Sequence, residues 1–442
     1  MVRTPLIVTL VLAAFPVIAA PGLAPAVSEA RLRSDVARLV SFGTRHTLSS
    51  EDSKQRGIGA ARRWVESDLR RTSSACGGCL TIVLPDTMVS GDRIPRPAHI
   101  VDVVAIQRGT QRPNEVVIVQ GHIDSRVSDV MDAVKDAPGA NDDGSGTALV
   151  LEAARVLSRQ KFPTTIVYAV LSGEEQGLYG GKLLADYAKA QGWTVKAVLN
   201  NDIIGNSRGS DGLVDDRHVR VFSEGPRADG TAATRAAARR FGGENDSPSR
   251  NISRWIAGLA GQPIEVRQVW RADRMGRGGD HLPFQDLGYP AVRFTVAVEN
   301  YDHQHQDLRT ERGVVYGDTI EQMDFPYLAR VVDLNIAALQ GLARAPMPPE
   351  ASVEAAVQTF SLVKWKAVPG AARYRIWRRR TDARDWELPL DAPGSATSLR
   401  LDGVRGDDWV FGVSSLATDG SESPVGSAVP GGSFAPLPTT NP

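Results

Sequence analysis

The chain has 442 residues, 42% of them hydrophobic and 23% charged, which is the profile of a globular protein long enough for two domains. Its 51 basic residues balance its 51 acidic ones, so it carries no overall charge for binding nucleic acid or an anionic membrane. Its two cysteines are too few for a four-cysteine zinc site.

The first twenty residues have the form of an export signal. Arg3 gives the positive start, residues 6–20 form an apolar stretch broken by Pro16, and small residues precede Ala20. That stretch is short for a bilayer, which needs about 20 apolar residues, and no later segment is longer. The expectation is a protein secreted or sent to the periplasm, with no stable membrane insertion. In such an oxidising compartment Cys76 and Cys79, separated by two glycines, are expected to form a local disulfide.

Helical apolar spacing runs through residues 30–72. Strand-like runs follow at 99–106, 115–120, 164–171, 195–203, 219–223, 264–269 and 291–296. Helical segments at 145–157, 178–190 and 234–241 lie between them, and an amphipathic helix at 325–343 closes the series. The alternation predicts an α/β fold, a mostly parallel mixed sheet sandwiched by helices. Ligands in such folds bind at the carboxyl ends of the strands. Residues 346–350 are proline-rich and read as a linker. Short alternating runs around Trp365, Tyr374 and Trp409 then predict a small all-β sandwich over 351–432, which resembles a fibronectin type III domain.

The chemistry-bearing residues sit where those strands end. His122 and Asp124 follow the 115–120 run, and Asp142 and Asp143 open the helix near Ser145 among glycines. Glu174 and Glu175 stand in Gly173-Glu174-Glu175-Gln176-Gly177 after the 164–171 run. Asp202 follows Asn200 and Asn201, and His303 and His305 follow the last strand. Adjacent carboxylates at one strand end repel each other unless a cation lies beside them. Imidazole and carboxylate donors together make a shell for zinc.

In order and spacing these motifs resemble the co-catalytic zinc aminopeptidases and glutamate carboxypeptidases of metallopeptidase family twenty-eight, over roughly residues 30–345. The resemblance implies the zinc exopeptidase fold, of phosphorylase/hydrolase-like type, and two zinc ions per chain. It implies that His122 and Asp202 hold one zinc, that Glu175 and His305 (alternatively His303) hold the other, and that Asp142 bridges them. Glu174 is then the general base for a metal-activated water, and Asp124 orients His122. Asp280, His281 and Tyr301 are candidates for substrate contact. The expected activity is hydrolysis of a peptide or protein substrate, foremost as an aminopeptidase. Alternatives on the same scaffold are carboxypeptidase or dipeptidase action, glutaminyl cyclisation with one zinc, and a non-catalytic binding role. The C-terminal segment could add attachment to a surface or polysaccharide.

Overall fold

The computed structural model describes residues 26–259, 261 and 263–438. The export signal expected over 1–20 lies outside the described residues.

An eight-stranded sheet forms the centre. Its order is Thr81–Val83, Val103–Gln107, Thr164–Leu171, Arg112–His122, Thr194–Asn201, Ala291–Val296, His218–Ser223 and Glu265–Val269. The four middle strands, from Thr164–Leu171 to Ala291–Val296, pair in parallel. Antiparallel pairing joins Val103–Gln107 at one side and His218–Ser223 at the other. The strand Thr164–Leu171 is buried at every position, because helices cover both faces. Ile166, Tyr168 and Val170 enter one apolar cluster with Leu32, Val65, Leu149 and Leu339. Val167, Ala169 and Leu171 enter another with Leu184 and Phe284. The continuous apolar run in the sequence is thus two period-2 faces read together.

The helices follow their capping residues. Asp143 caps Gly144–Leu157 by accepting from Gly146 N, Asp324 caps Phe325–Arg344, and Ser247 caps Pro248–Ala257 with proline in the first turn. The last of these was not foreseen from the sequence. The single strand expected at 99–106 is two strands, Ile94–Val101 and Val103–Gln107. They divide at Asp102, whose buried carboxylate accepts from Ser172 N (3.0 Å). The first half pairs in a hairpin with Asp86–Gly91, and only the second half joins the large sheet. Cys76 and Cys79 are disulfide-bonded, with Cα atoms 5.6 Å apart, at the end of helix Ile58–Ala75.

The C-terminal residues form two small antiparallel sheets. One has the order Ala351–Glu354, Phe360–Trp365, Ser398–Asp402, and the other Glu387–Pro393, Arg373–Arg380, Trp409–Leu416, Gly426–Ser427. Val363 and Trp365 from the first pack with Tyr374, Ile376 and Phe411 from the second. The segment 346–350 is not a loose tether: Pro346, Pro348 and Pro349 are buried, and the Met347 carbonyl accepts from Ser415 Oγ at 2.8 Å. Arg379 pairs with Asp246 through two contacts of 2.7 and 2.6 Å, and Asn251 donates to Ser427 Oγ. Phe434 joins the main apolar cluster beside the large sheet. Among the described residues no helix is long and apolar enough to cross a membrane.

Candidate metal centre

The carboxyl ends of the parallel strands bring distant residues into two triads. His122, Glu174 and Asp202 make one, and Asp142, Glu175 and His305 the other, with ligand atoms of each triad within 4.8 Å of one another. His122 closes strand Arg112–His122, while Glu174, Glu175 and Asp202 stand just past their strands. Asp142 lies between the triads: its Oδ1 is 3.3 Å from His122 Nε2 and its Oδ2 is 2.8 Å from His305 Nε2. A carboxylate with one oxygen toward each imidazole is placed to bridge two cations.

The residues fit metal ions by the atoms they leave unpaired. His122 Nε2 and Glu175 Oε1 are buried and have no hydrogen-bond partner. His122 Nδ1 donates to the Asp124 carbonyl at 3.1 Å, which directs the Nε2 lone pair into the triad. An unpaired buried nitrogen among carboxylates is costly unless a cation completes it.

The electrostatics follow from burial and crowding. Burial pushes the Glu174 carboxyl well above the usual range, and the Glu175, Asp202 and Asp280 carboxylates push the same way, against the pull of His122. Burial also opposes ionisation of Asp142, but His305 and His122 outweigh it and hold its carboxyl well below its ordinary value. Burial lowers His305, and Glu175 and Asp142 more than offset this, raising it to about 9.

Asp124 lies under the turn between the triads. Its Oδ1 accepts from Gly173 N (3.0 Å) and Glu174 N (3.3 Å), and its Oδ2 from Glu175 N (3.1 Å) and Thr47 Oγ1 (2.9 Å). It meets His122 mainly through its backbone carbonyl, since its Oδ1 is 3.6 Å from Nδ1. Asp143 points away from the centre, with Oδ2 accepting from His122 N and Oδ1 from Gly146 N. The two neighbouring aspartates therefore divide the bridging position and the helix cap between them. His305 has φ 56° and belongs to a triad, whereas half-buried His303 belongs to neither and lines a small cavity with Asn141, Asp142, Asn206 and Asp318.

Asp280 and His281, expected to touch substrate, are both buried. His281 is 0% exposed, with Nε2 against the Ala272 carbonyl at 2.8 Å. Asp280 is 1% exposed and accepts from Gly181 N, and its carbonyl accepts from Gln120. Tyr301 stands instead on the outer loop, 61% exposed.

Four supporting residues escaped the sequence reading. Arg126 contacts Glu175, Arg293 contacts Asp202, Gln304 donates to Asp142 Oδ2 (3.1 Å), and Asp318 accepts from Asn141 N and Asp142 N. A charged residue inside the buried run 291–296 was the available signal for Arg293.

A mostly parallel sheet with paired imidazole–carboxylate triads at its strand ends defines a metal-dependent hydrolase. Comparison with known proteins agrees. Residues 102–311 match the model of peptidase family M28. A probable zinc metalloprotease of Leptosphaeria maculans is 42% identical over 413 residues, covering 92% of this chain and 95% of that protein. One of Pyricularia oryzae is 42% identical over 420 residues, covering 92% of this chain and 83% of that protein. The LapA aminopeptidase structure of Legionella pneumophila aligns over 71% of each chain with a TM-score of 0.51 at 17% identity, a likeness of fold. The chain belongs to peptidase family M28.

Proposed function

We propose that the chain is a secreted dizinc exopeptidase that releases N-terminal residues from peptides. The observation that carries the metal reading is that buried His122 Nε2 and Glu175 Oε1 make no hydrogen bond, yet stand crowded at 3.3 Å from Asp142 and 3.0 Å from His305. The curated relatives' description as probable zinc metalloproteases supports zinc as the metal. His122 and Asp202 would hold one ion, Glu175 and His305 the other, and Asp142 both. Zinc held there would polarise a peptide carbonyl and acidify a water molecule. Glu174 accepts the proton from the attacking water and returns it to the leaving amine. Its raised proton affinity in this crowded, buried setting suits a group that must both take and give a proton.

Two features support an exopeptidase acting at the N-terminus. The loops around the centre are tied together: Ser128 to Asp307, Asn300 to the Arg208 carbonyl, and Arg277 to Gln304 and Glu299. Such walls favour a chain end over a chain middle. Four neighbouring guanidinium groups also have partners already, whereas exposed Arg271 meets only the Met275 sulfur among the described residues. Arg126 pairs with Glu175, Arg274 with Asp273 and Glu299, Arg277 with Glu299, and Arg93 donates to the Glu175 carbonyl. A C-terminal carboxylate would need one of them free.

Secretion rests on the first twenty residues and on the disulfide. We read residues 351–432 as a fibronectin type III-like sandwich and 30–345 as the peptidase domain. The test is digestion of a peptide and its N-acetylated form, with mass analysis and zinc counted per chain. Stepwise N-terminal release from the free peptide alone, with two zinc ions bound, is expected. C-terminal release from both peptides would sink the aminopeptidase assignment, and a protein without zinc would sink the metal reading.

A further inference from the structure

Each triad has an arginine behind its outer carboxylate. Arg293 NH2 lies 2.9 Å from Asp202 Oδ2, and Arg126 Nε donates to Glu175 Oε2 at 2.9 Å. In both pairs the arginine occupies one oxygen and the other oxygen faces the imidazole. Asp202 Oδ1 is 3.9 Å from His122 Nε2, and Glu175 Oε1 is 3.0 Å from His305 Nε2.

We propose that Arg126 and Arg293 are positioning residues, one per metal ion, that fix Glu175 and Asp202 so that each presents a single oxygen to its metal. The proposal rests on the reading of the triads as metal sites. A carboxylate free to rotate can offer a cation one oxygen or two. At Glu175 the hydrogen bond from Arg126 removes that freedom, because it has direction as well as charge, while at Asp202 the buried Arg293 NH2 acts as a charge at 2.9 Å without making a hydrogen bond. Each arginine also offsets part of the charge of Asp142, Glu174, Glu175 and Asp202, which are crowded where little solvent screens them.

The two arginines are anchored differently. Arg293 is 0% exposed in strand Ala291–Val296, and its NH1 donates to the Gly278 carbonyl (2.7 Å) and meets Asp273 Oδ2 at 3.2 Å. Arg126 follows the His122–Asp124 turn, is 17% exposed at its side chain, and donates from NH1 to the Val127 carbonyl. Its NH2 also lies 2.6 Å from His305 Nδ1. An imidazole that gives its Nε2 lone pair to a metal carries its proton on Nδ1. With a metal on Nε2 the NH2 contact would have to give way, whereas the bond from Nε to Glu175 would not.

The test uses the full chain and two readouts apart from turnover. Zinc affinity is measured by competition with a chelator, and the visible spectrum is recorded after cobalt(II) replacement. Arg126→Met should weaken one of the two metal ions by about 10–100-fold, the usual effect of losing a ligand's supporting partner, while the other keeps its affinity. The cobalt spectrum should change as Glu175 gains freedom, and Arg126→Lys should recover part of the loss. Arg293→Lys should weaken the other ion and spare the first. A folded Arg126→Met protein with wild-type affinities and an unchanged spectrum overturns the proposal, as does equal loss of both ions. A wild-type chain that binds no metal overturns the triad reading itself, and the clamp with it.

Discussion

Replacing Arg379 with methionine should destabilise the whole chain, not the C-terminal sheets alone. Arg379 and Asp246 join the two regions through contacts of 2.7 and 2.6 Å, with side chains 3% and 2% exposed. Removing one member of such a buried pair costs about 3–5 kcal/mol, because the other charge stays buried without its partner. Here Arg254 NH1, 3.6 Å from Asp246 Oδ1, still gives Asp246 some compensation. The lower end, about 3 kcal/mol, is therefore expected. Lys366→Met is the control, since its ion pair with Glu350 is 74% and 51% exposed and such pairs contribute about 0–1 kcal/mol. Urea unfolding followed by tryptophan fluorescence reads both variants. Trp255 and Trp270 report the sheet side, and Trp365, Trp377 and Trp409 the C-terminal side. The wild type should unfold in one transition, because Phe434 enters the main core and Trp255 donates to the Glu422 carbonyl. The reasoning fails if Arg379→Met is as stable as Lys366→Met. It fails equally if the C-terminal tryptophans of the wild type melt first in a transition of their own.

Three further outcomes test the centre and its surroundings. Glu174→Gln should keep its zinc content and lose about 10²–10⁴-fold in kcat, the usual contribution of a general base; near-normal turnover would remove Glu174 from the role. His305→Ala should lose one of two zinc ions in metal analysis while His303→Ala keeps both, because only His305 enters a triad; the reverse result would reassign the ligand. Glu224, away from the centre, has its carboxyl raised by burial from 4.5 to about 7. The folded state then holds a proton that the unfolded state releases, so this contribution is full below pH 4.5 and is lost as pH rises toward about 7. At about 1.4 kcal/mol per pKa unit it amounts to roughly 3 kcal/mol. Glu224→Gln should abolish that pH dependence in urea titrations, and an unchanged slope would show that Glu224 does not carry it.

The sequence disclosed the centre to different depths for different residues, for physical reasons. Strand ends were visible because 164–171 and 195–199 are apolar runs that stop at polar residues, and an α/β sheet gathers such ends in one crevice. His122, Asp142, Glu174, Glu175, Asp202 and His305 were named from that logic and from the family pattern, and they are the residues that meet. Contacts across long stretches of chain left no local mark. Gln304 is bonded to Asp142 and Asp318 to the backbone beside it, contacts that the sequence around either residue did not disclose. The burial of His281 was not legible in the sequence either, because it is a property of the packed helix Leu282–Asp286 beside it. The break at Asp102 was hidden for a similar reason: its partner Ser172 is 70 residues away.

Glu174 and Glu175 are neighbours in the chain, yet their side chains serve different triads, and Asp124 explains the division. Its two oxygens hold the amides of Gly173, Glu174 and Glu175, so the turn has one conformation relative to strand Arg112–His122. With the backbone fixed, Glu174 faces His122 and Asp202 while Glu175 faces Asp142 and His305. Burial opposes ionisation of Asp124, but His122 first, and then the Glu175 amide and the Thr47 hydroxyl, outweigh it and hold its carboxyl below the ordinary value. Asp124 therefore sets the turn that parts Glu174 from Glu175, besides standing beside His122. Thr47, far earlier in the chain, completes that support, which ties the helical N-terminal region to the chemistry at the strand ends.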